Sequence, residues 1–181
     1  RMSTWHSQTD ARRLLADEVG TIHKEAAYRV ALVYPSAYRA AMSSLGYQSI
    51  YRILNELPDV AADRATLPED DRRGQSAERA PLKTLERDLP VASYPLVAFS
   101  VAYELELSGL FTCLARADIP LLSAERSDAH PLVLAGGPLT FSNPVVLAPF
   151  CDAVVLGEGE DVIASVVATA RAHPGRAHAL G

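Results

Sequence analysis

Cysteine is scarce in this chain of 181 residues, where it occurs only at Cys113 and Cys151. Two cysteines cannot build a disulfide framework or a metal cage, and the expected compartment is the reducing cytoplasm. Long apolar runs are missing too, since stretches such as residues 145–150 are far too short to cross a bilayer. The N-terminus also lacks the hydrophobic segment of a signal peptide. The sequence therefore predicts a cytoplasmic protein without a membrane span.

Positive charge is in deficit as well. The formal net charge is -5, and there is no basic stripe that would neutralise phosphates, so direct binding to nucleic acid is not expected. Familiar catalytic motifs are missing: the chain has no P-loop, no G-x-S-x-G elbow and no recognisable Ser/His/Asp set. His130 stands alone beside Asp128, and one histidine with one aspartate is not a metal site. The sequence therefore predicts no catalytic residue and no metal ligand.

The composition is that of a soluble globular domain with one sizeable core, since 49% of the residues are apolar and 22% are charged. Short apolar runs predict strands at residues 29–34, 95–101, 131–135 and 153–156, and residues 60–67 are predicted as a weaker strand. Helical spacing of apolar residues predicts helices at residues 10–19, 45–57, 104–117, 143–150 and 160–171. A weaker run at residues 82–85 fits a short edge strand, and the charged residues 68–79 fit a mobile loop.

Strands and helices alternate along the chain, and the strongest strands are apolar on both faces. Both features indicate a parallel sheet that is covered by helices on each side. We therefore predict a single α/β domain with a doubly wound, mostly parallel sheet. The domain should span residues 25–172, after an N-terminal helical extension at 1–24 and before a linker or tail at 173–181.

The loops that follow the predicted strands form the candidate site, because ligands of doubly wound sheets bind at the carboxyl ends of the strands. Two of these loops are rich in glycine: Gly136-Gly137-Pro138 and Gly157-Glu158-Gly159-Glu160. Glycine allows positive φ and a close approach of the backbone to a ligand. The acidic side chains disfavour phosphate and favour hydroxyl or amide partners. A sharp strand exit without a ligand, and acids that favour a helix start, remain alternative explanations.

Two further loops offer polar and aromatic contacts. The connection at residues 35–45 contributes the candidate contacts Tyr38, Met42, Ser43 and Ser44. The exit of the third predicted strand contributes Ser100, Tyr103 and Glu104. A hydroxyl, an aromatic face and a carboxylate together suit a large amphipathic ligand. Helix capping and packing are the alternative roles for each of these residues.

Several short runs, taken in order, resemble the N-terminal region of radical S-adenosylmethionine (SAM) proteins that carry a cobalamin-binding-like domain. The runs are RVALVYP at 29–35, MSSLGYQ at 42–48, LNE at 54–56, FSVAYEL at 99–105, IPL at 119–121, HPLVLAGGP at 130–138 and GEGE at 157–160. Each run is modest alone, whereas the ordered set covers nearly the whole chain.

The resemblance implies a flavodoxin-like accessory domain that binds cobalamin and is partnered by a radical SAM barrel of the same parent chain. In such relatives the barrel uses SAM and holds a [4Fe-4S] cluster on a C-x-x-x-C-x-x-C motif. That motif is absent here, so the resemblance implies an excised or truncated N-terminal domain that is inactive alone. Typical cobalamin domains also carry D-x-H-x-x-G after the first strand. Residues 35–45 contain no histidine, so bound cobalamin would lack that cobalt ligand.

The function then has three alternatives. In the first, the nucleotide tail of cobalamin enters between the first-strand loop and the two glycine-rich loops, where backbone amides and the hydroxyls of Ser43, Ser44 and Ser100 hold it. In the second, the domain is a degenerate scaffold without a cofactor that docks on the barrel and shapes its substrate channel. The third is a flavodoxin-like sensor of a small molecule or nucleotide, which the lack of a phosphate-friendly loop after Tyr34 disfavours.

Overall fold

The computed structural model describes residues 13–68 and 80–172. Five strands form one sheet: β1 (Tyr28–Ala37), β2 (Val60–Leu67), β3 (Leu96–Ser100), β4 (Leu132–Gly136) and β5 (Ala153–Val154). Their order is β2-β1-β3-β4-β5, and every pairing is parallel. This is the flavodoxin-like order, in which the chain first adds a strand on one side of β1 and then crosses to the other side. The predicted fold class is confirmed.

Helices connect the strands on both sides of the sheet. The α-helices are α1 (Tyr38–Met42), α2 (Leu45–Glu56), α3 (Leu107–Arg116), α4 (Leu139–Ser142) and α5 (Gly159–Ala172). Single 3₁₀ turns lie at Val91–Ser93, Glu104–Glu106, Ser123–Glu125 and Pro144–Leu147. α2 begins at a predicted cap, where the Ser44 hydroxyl accepts a hydrogen bond from the backbone N of Tyr47 at 3.4 Å.

The sheet separates two apolar layers, because successive strand residues point to opposite faces. On one face Val97 and Val133 pack with α3. On the other face Ala98 and Leu134 pack with α2 and α5. α3 lies so close to the end of β1 that a Cβ at Gly109 would be 1.8 Å from the carbonyl oxygen of Pro35. Helices on both faces complete the doubly wound architecture.

β1 does not stop at Pro35, as the sequence predicts, but continues to Ala37. Its register with β2 shifts after Tyr34, and this irregularity accommodates a proline that cannot donate a ladder hydrogen bond. Residues 82–85 form no strand. They contribute only an isolated antiparallel bridge between Lys83 and Pro90.

Two predicted helices are shorter and less regular than expected. Residues 104–106 form a 3₁₀ turn before α3 begins, and the predicted helix at 143–150 is the 3₁₀ turn Pro144–Leu147. Pro149, which cannot continue a helix, follows that turn. Leu45 is 83% exposed rather than part of the core face, because it begins α2 at the edge of the sheet. Tyr47, Tyr51 and Leu54 form the buried face of α2 instead.

Some predicted segments fall partly or wholly outside the described residues. Residues 13–16 of the predicted N-terminal helix are helical, whereas residues 10–12 are not described. The predicted mobile loop from residue 69 onwards and the predicted tail at 173–181 also lie outside the described ranges.

β2 is an edge strand, yet all eight of its residues are buried. The Asn55 side chain accepts a hydrogen bond from the backbone N of Ala62 at 3.0 Å and donates to the carbonyl of Ala62 at 3.2 Å. The Glu86 carboxylate accepts from the backbone N of Arg64 at 2.6 Å, and the N of Leu85 donates to the Arg64 carbonyl at 2.7 Å. These contacts satisfy polar groups that an edge strand otherwise leaves open.

Candidate functional site

A cavity of about 180 Å³ lies at the carboxyl edge of the sheet, on the face covered by α2 and α5. Its floor is a row of three side chains that stand in register on neighbouring strands, Leu32, Ala98 and Leu134. Ile50 of α2 and Ile163 of α5 form its walls. The cavity occupies the crevice where doubly wound sheets bind ligands, since α2 and the chain after β3 diverge at this point.

The rim of the cavity is built from four loops that are far apart in the sequence. The predicted site residues that line it are Ser44, Ser100, Gly136, Gly137, Pro138, Gly157, Glu158 and Gly159. Glu160 lines it as well. The structure therefore brings both glycine-rich loops together with one serine from each of the other two loops.

The glycines around the cavity are required for different reasons. Gly137 has a φ of 104°, and a Cβ there would be 2.8 Å from the carbonyl oxygen of Val101, so the strand exit itself demands glycine. Gly157 has a φ of 94°, which also disfavours a side chain. Gly46 lies in the first turn of α2, and a Cβ there would meet nothing within 4 Å. Packing therefore does not explain a glycine at residue 46.

Two predicted contacts, Tyr38 and Met42, lie away from this cavity because α1 carries them towards β2. The Tyr38 hydroxyl donates to the Glu18 carboxylate at 2.6 Å, and the Met42 sulfur lies 3.4 Å from Nη1 of Arg64. Both side chains line a second cavity beside residues 13–19.

Three more predicted contacts do not line the cavity either. The exposed Ser43 hydroxyl donates to the carbonyl of Arg39 at 2.9 Å, which is the capping role expected as its alternative. Tyr103 and Glu104 are exposed at the carboxyl edge, where they precede or begin a 3₁₀ turn.

The electrostatic character of the cavity is acidic. Among the described residues that line it there is no lysine, arginine or histidine, whereas Glu158 and Glu160 are present. Burial raises the pKa of Tyr47 well above its ordinary value, and its hydroxyl donates to the carbonyl of Leu32 at 2.9 Å. Tyr47 is therefore a fixed donor and not a base. The arrangement suits a neutral or cationic group and disfavours an anionic one.

Sequence reasoning missed the floor and walls of the cavity. The missed lining residues are Leu32, Gly46, Tyr47, Ile50, Ala98, Phe99, Leu134, Ala135, Phe141, Val155 and Ile163. A usable signal was Ala98, a small residue between the larger Leu32 and Leu134 on the same face of three adjacent strands. Its small side chain leaves room above the centre of the sheet.

Several apolar side chains are exposed in the segments that follow the strands at the carboxyl edge, and one of them, Phe141, lines the cavity. They come from the loops or helix starts after β1, β3, β4 and β5 and are Leu45, Tyr103, Leu105, Phe141, Val145 and Leu156. We call this set the carboxyl-edge apolar patch. Exposed apolar side chains at one edge of a domain are typical of a surface that contacts a ligand or another domain.

Two further searches of the described residues concern membranes and metals. None of the described helices is long and apolar enough to cross a bilayer. The described residues also contain no group of three or more His, Cys, Asp or Glu side chains that is placed to hold a metal ion.

The fold and the cavity at its switch point define a flavodoxin-like α/β domain with a candidate ligand site. Residues 46–179 match the family described as radical SAM proteins, N-terminal. The chain belongs to this family, which confirms the resemblance to the N-terminal region of radical SAM proteins. No curated protein and no solved structure gives a significant match to the chain.

Proposed function

We propose that this chain is the accessory cobalamin-binding-like domain of a radical SAM enzyme and has no catalytic activity alone. One observation carries the proposal. A small cavity with an apolar floor and an acidic rim opens at the carboxyl edge between α2 and the two glycine-rich loops, in a member of the radical SAM N-terminal family. Ligands of doubly wound domains bind at this edge.

The size of the cavity matches one end of cobalamin. Pockets that bury a drug-sized ligand measure roughly 300–1,000 Å³. A cavity of about 180 Å³ therefore suits the nucleotide base, flanked by Ile50 and Ile163, but is too small for the corrin ring. The corrin would lie outside the cavity, over the carboxyl-edge apolar patch. The loop between β1 and α2 contains no histidine, so the cobalt would have no His ligand from that loop.

The polar rim assigns roles to individual groups. Ser44, Ser100 and the backbone at residues 136–137 would hydrogen-bond the nucleotide tail. Glu158 and Glu160 would accept hydrogen bonds from amide N–H groups, and they require the phosphate of the tail to lie elsewhere. Bound cobalamin would supply a cobalt centre that can carry an alkyl group through a cobalt–carbon bond. The chain's own residues bind and orient the cofactor.

Two corrinoids that differ in the tail provide a sharp test. Purified chain is mixed with hydroxocobalamin or with cobinamide, which lacks the nucleotide tail, and free ligand is removed by gel filtration. We expect the visible corrin spectrum to stay with the protein for hydroxocobalamin and to be lost for cobinamide. A colourless protein in both samples, together with no heat in calorimetric titration, would overturn the proposal. Equal retention of both corrinoids would show that the nucleotide tail does not contribute to binding, and would refute its proposed place in the cavity.

A second candidate function is a docking scaffold that binds no cofactor and shapes the substrate channel of the barrel. The carboxyl-edge apolar patch favours it. Covering six exposed apolar side chains with another domain removes them from water, which lowers the free energy of the assembled protein.

This candidate is tested in the full parent chain by Leu105→Asp and Phe141→Asp, which place charges in the patch. We expect the radius of gyration in small-angle scattering to rise as the domains separate. Leu122→Asp is the matched control, because Leu122 is also exposed but precedes β4 at the opposite edge of the sheet. An unchanged radius in both patch variants would contradict docking through this face.

A further inference from the structure

Residues 13–27, here called the strap, are fastened to the domain mainly by polar contacts. The backbone N of Ile22 donates to the Tyr51 hydroxyl at 2.9 Å. The Lys24 ammonium donates to the carbonyls of Asn55 and Leu57 at 2.9 and 2.5 Å. Only the Ile22 side chain packs against the described apolar core from this segment. A segment with so little apolar burial opens more easily than the core elements.

The guanidinium of Arg64, which the strap covers, is held in place by the domain itself. Its Nε donates to Glu86 at 2.6 Å, and the backbone N of Arg64 donates to the second oxygen of the same carboxylate at 2.6 Å. The Tyr51 ring lies 4.4 Å from the guanidinium carbon. Both Arg64 and Glu86 are buried. The cation therefore has a countercharge and a fixed orientation before the strap contributes anything.

The outer fork of Arg64 has the geometry of a carboxylate receptor. Nη1 and Nη2 donate to the two oxygens of Glu18 at 2.6 and 3.0 Å, a bidentate pair. The Tyr38 hydroxyl donates to the same carboxylate at 2.6 Å. Three donors from β2 and α1 thus converge on one carboxylate, which Glu18 of the strap provides.

The charge balance makes Glu18 the exchangeable member of this cluster. Glu86 already pairs with Arg64, so Glu18 is a second carboxylate on one guanidinium. Each carboxylate that joins this partly buried cluster has a desolvation cost. Glu18 lines a cavity of about 600 Å³ together with Tyr38 and Met42, so an open space adjoins the carboxylate that the Arg64 fork holds.

We propose that Arg64 and Tyr38 form a binding site for a small carboxylic acid, and that Glu18 occupies this site as a displaceable internal ligand. A carboxylate that enters from the adjoining cavity takes the place of Glu18 and releases the strap. The site lies on the β2 side of β1 and is separate from the proposed cofactor cavity.

The test uses Glu18→Ala, which empties the receptor, with acetate as the probe and chloride at equal ionic strength as the reference. At ten times its Kd, acetate should raise the melting temperature of this variant by about 3–6 °C. Wild type should respond less, because Glu18 competes. Glu25→Ala is the matched control, since Glu25 is also a strap carboxylate but pairs with Arg87. It should show no response beyond that of wild type.

Tyr38→Phe in the Glu18→Ala background should weaken acetate binding about tenfold, because one donor to the carboxylate is lost. If Glu18→Ala is unfolded without acetate, refolding by acetate but not chloride supports the site. A folded Glu18→Ala protein whose response to acetate equals that of Glu25→Ala would overturn the proposal. So would an unfolded variant that acetate fails to rescue. Either result would leave Glu18–Arg64 as a purely structural ion pair.

Discussion

Gly46→Ala should stabilise the folded domain and weaken ligand binding at the same time. Glycine within a helix costs about 0.5–1 kcal/mol relative to alanine. The new methyl would meet no atom within 4 Å, so no clash offsets this gain. A domain of this size should therefore melt about 1–4 °C higher.

The same methyl extends into space beside a cavity of only about 180 Å³. A well-fitted ligand that must accommodate an extra carbon loses about 1–3 kcal/mol. That loss corresponds to a rise of about 5- to 150-fold in the Kd. The opposite signs separate this prediction from general damage to the fold, which would lower both stability and affinity.

Differential scanning calorimetry measures the first effect, and titration with hydroxocobalamin followed by absorbance measures the second. Ser49→Ala is the matched control, because it raises helix propensity in the same helix at a residue that does not line the cavity. Unchanged affinity in a stabilised Gly46→Ala protein would refute the argument that the open space at residue 46 belongs to the ligand. A lower melting temperature of Gly46→Ala would refute the conclusion that the space around a Cβ at residue 46 is empty.

Three further predictions concern packing and reactivity. Gly109→Ala should lower the free energy of unfolding by at least about 2 kcal/mol, because its Cβ would overlap the Pro35 carbonyl. Urea titration measures this loss, and an unchanged midpoint would contradict the close contact. Gly137→Ala should lower the free energy of unfolding by a similar amount. Gly136→Ala should lower it far less, because its Cβ would lie an ordinary 3.6 Å from the nearest side chain. Equal losses in the two variants would refute the distinction between these glycines. Cys151 should react with a thiol reagent at pH 8 only after unfolding, because burial raises its pKa to about 12; rapid labelling of the native protein would disprove this.

The sheet was predictable because its central strands are mostly buried on both faces. In a parallel sheet covered on both faces most strands are continuous apolar runs, and such runs at 95–101 and 131–135 predicted β3 and β4 to within one residue at each end. β2 is less apolar, but its predicted range, 60–67, matches the strand Val60–Leu67. The buried charges on that strand were not predictable. Arg64 is neutralised by Glu86 and Glu18, which lie 22 and 46 residues away in the sequence. Pairing over such distances leaves no local pattern to read.

The candidate site was predictable in outline and not in detail. The rule that ligands bind at the carboxyl ends of parallel strands located both glycine-rich loops. It could not say towards which neighbouring strand a loop turns, and α1 takes Tyr38 and Met42 towards β2 instead of β3. The rule also does not tell which strand residues form the floor of the cavity. Identifying floor residues such as Ala98 required the pairing register of the strands.

The capped outer side of β2 limits how this protein can assemble. Asn55 and Glu86 occupy hydrogen-bonding positions that an incoming strand would need. At the other end of the sheet β5 contributes only two residues, Ala153–Val154, which is too short a template for stable pairing. Within the described part of the chain, enlargement of the sheet by a strand from another copy is therefore obstructed at both ends. A domain with its sheet edges closed in this way has little tendency to seed β-type polymers.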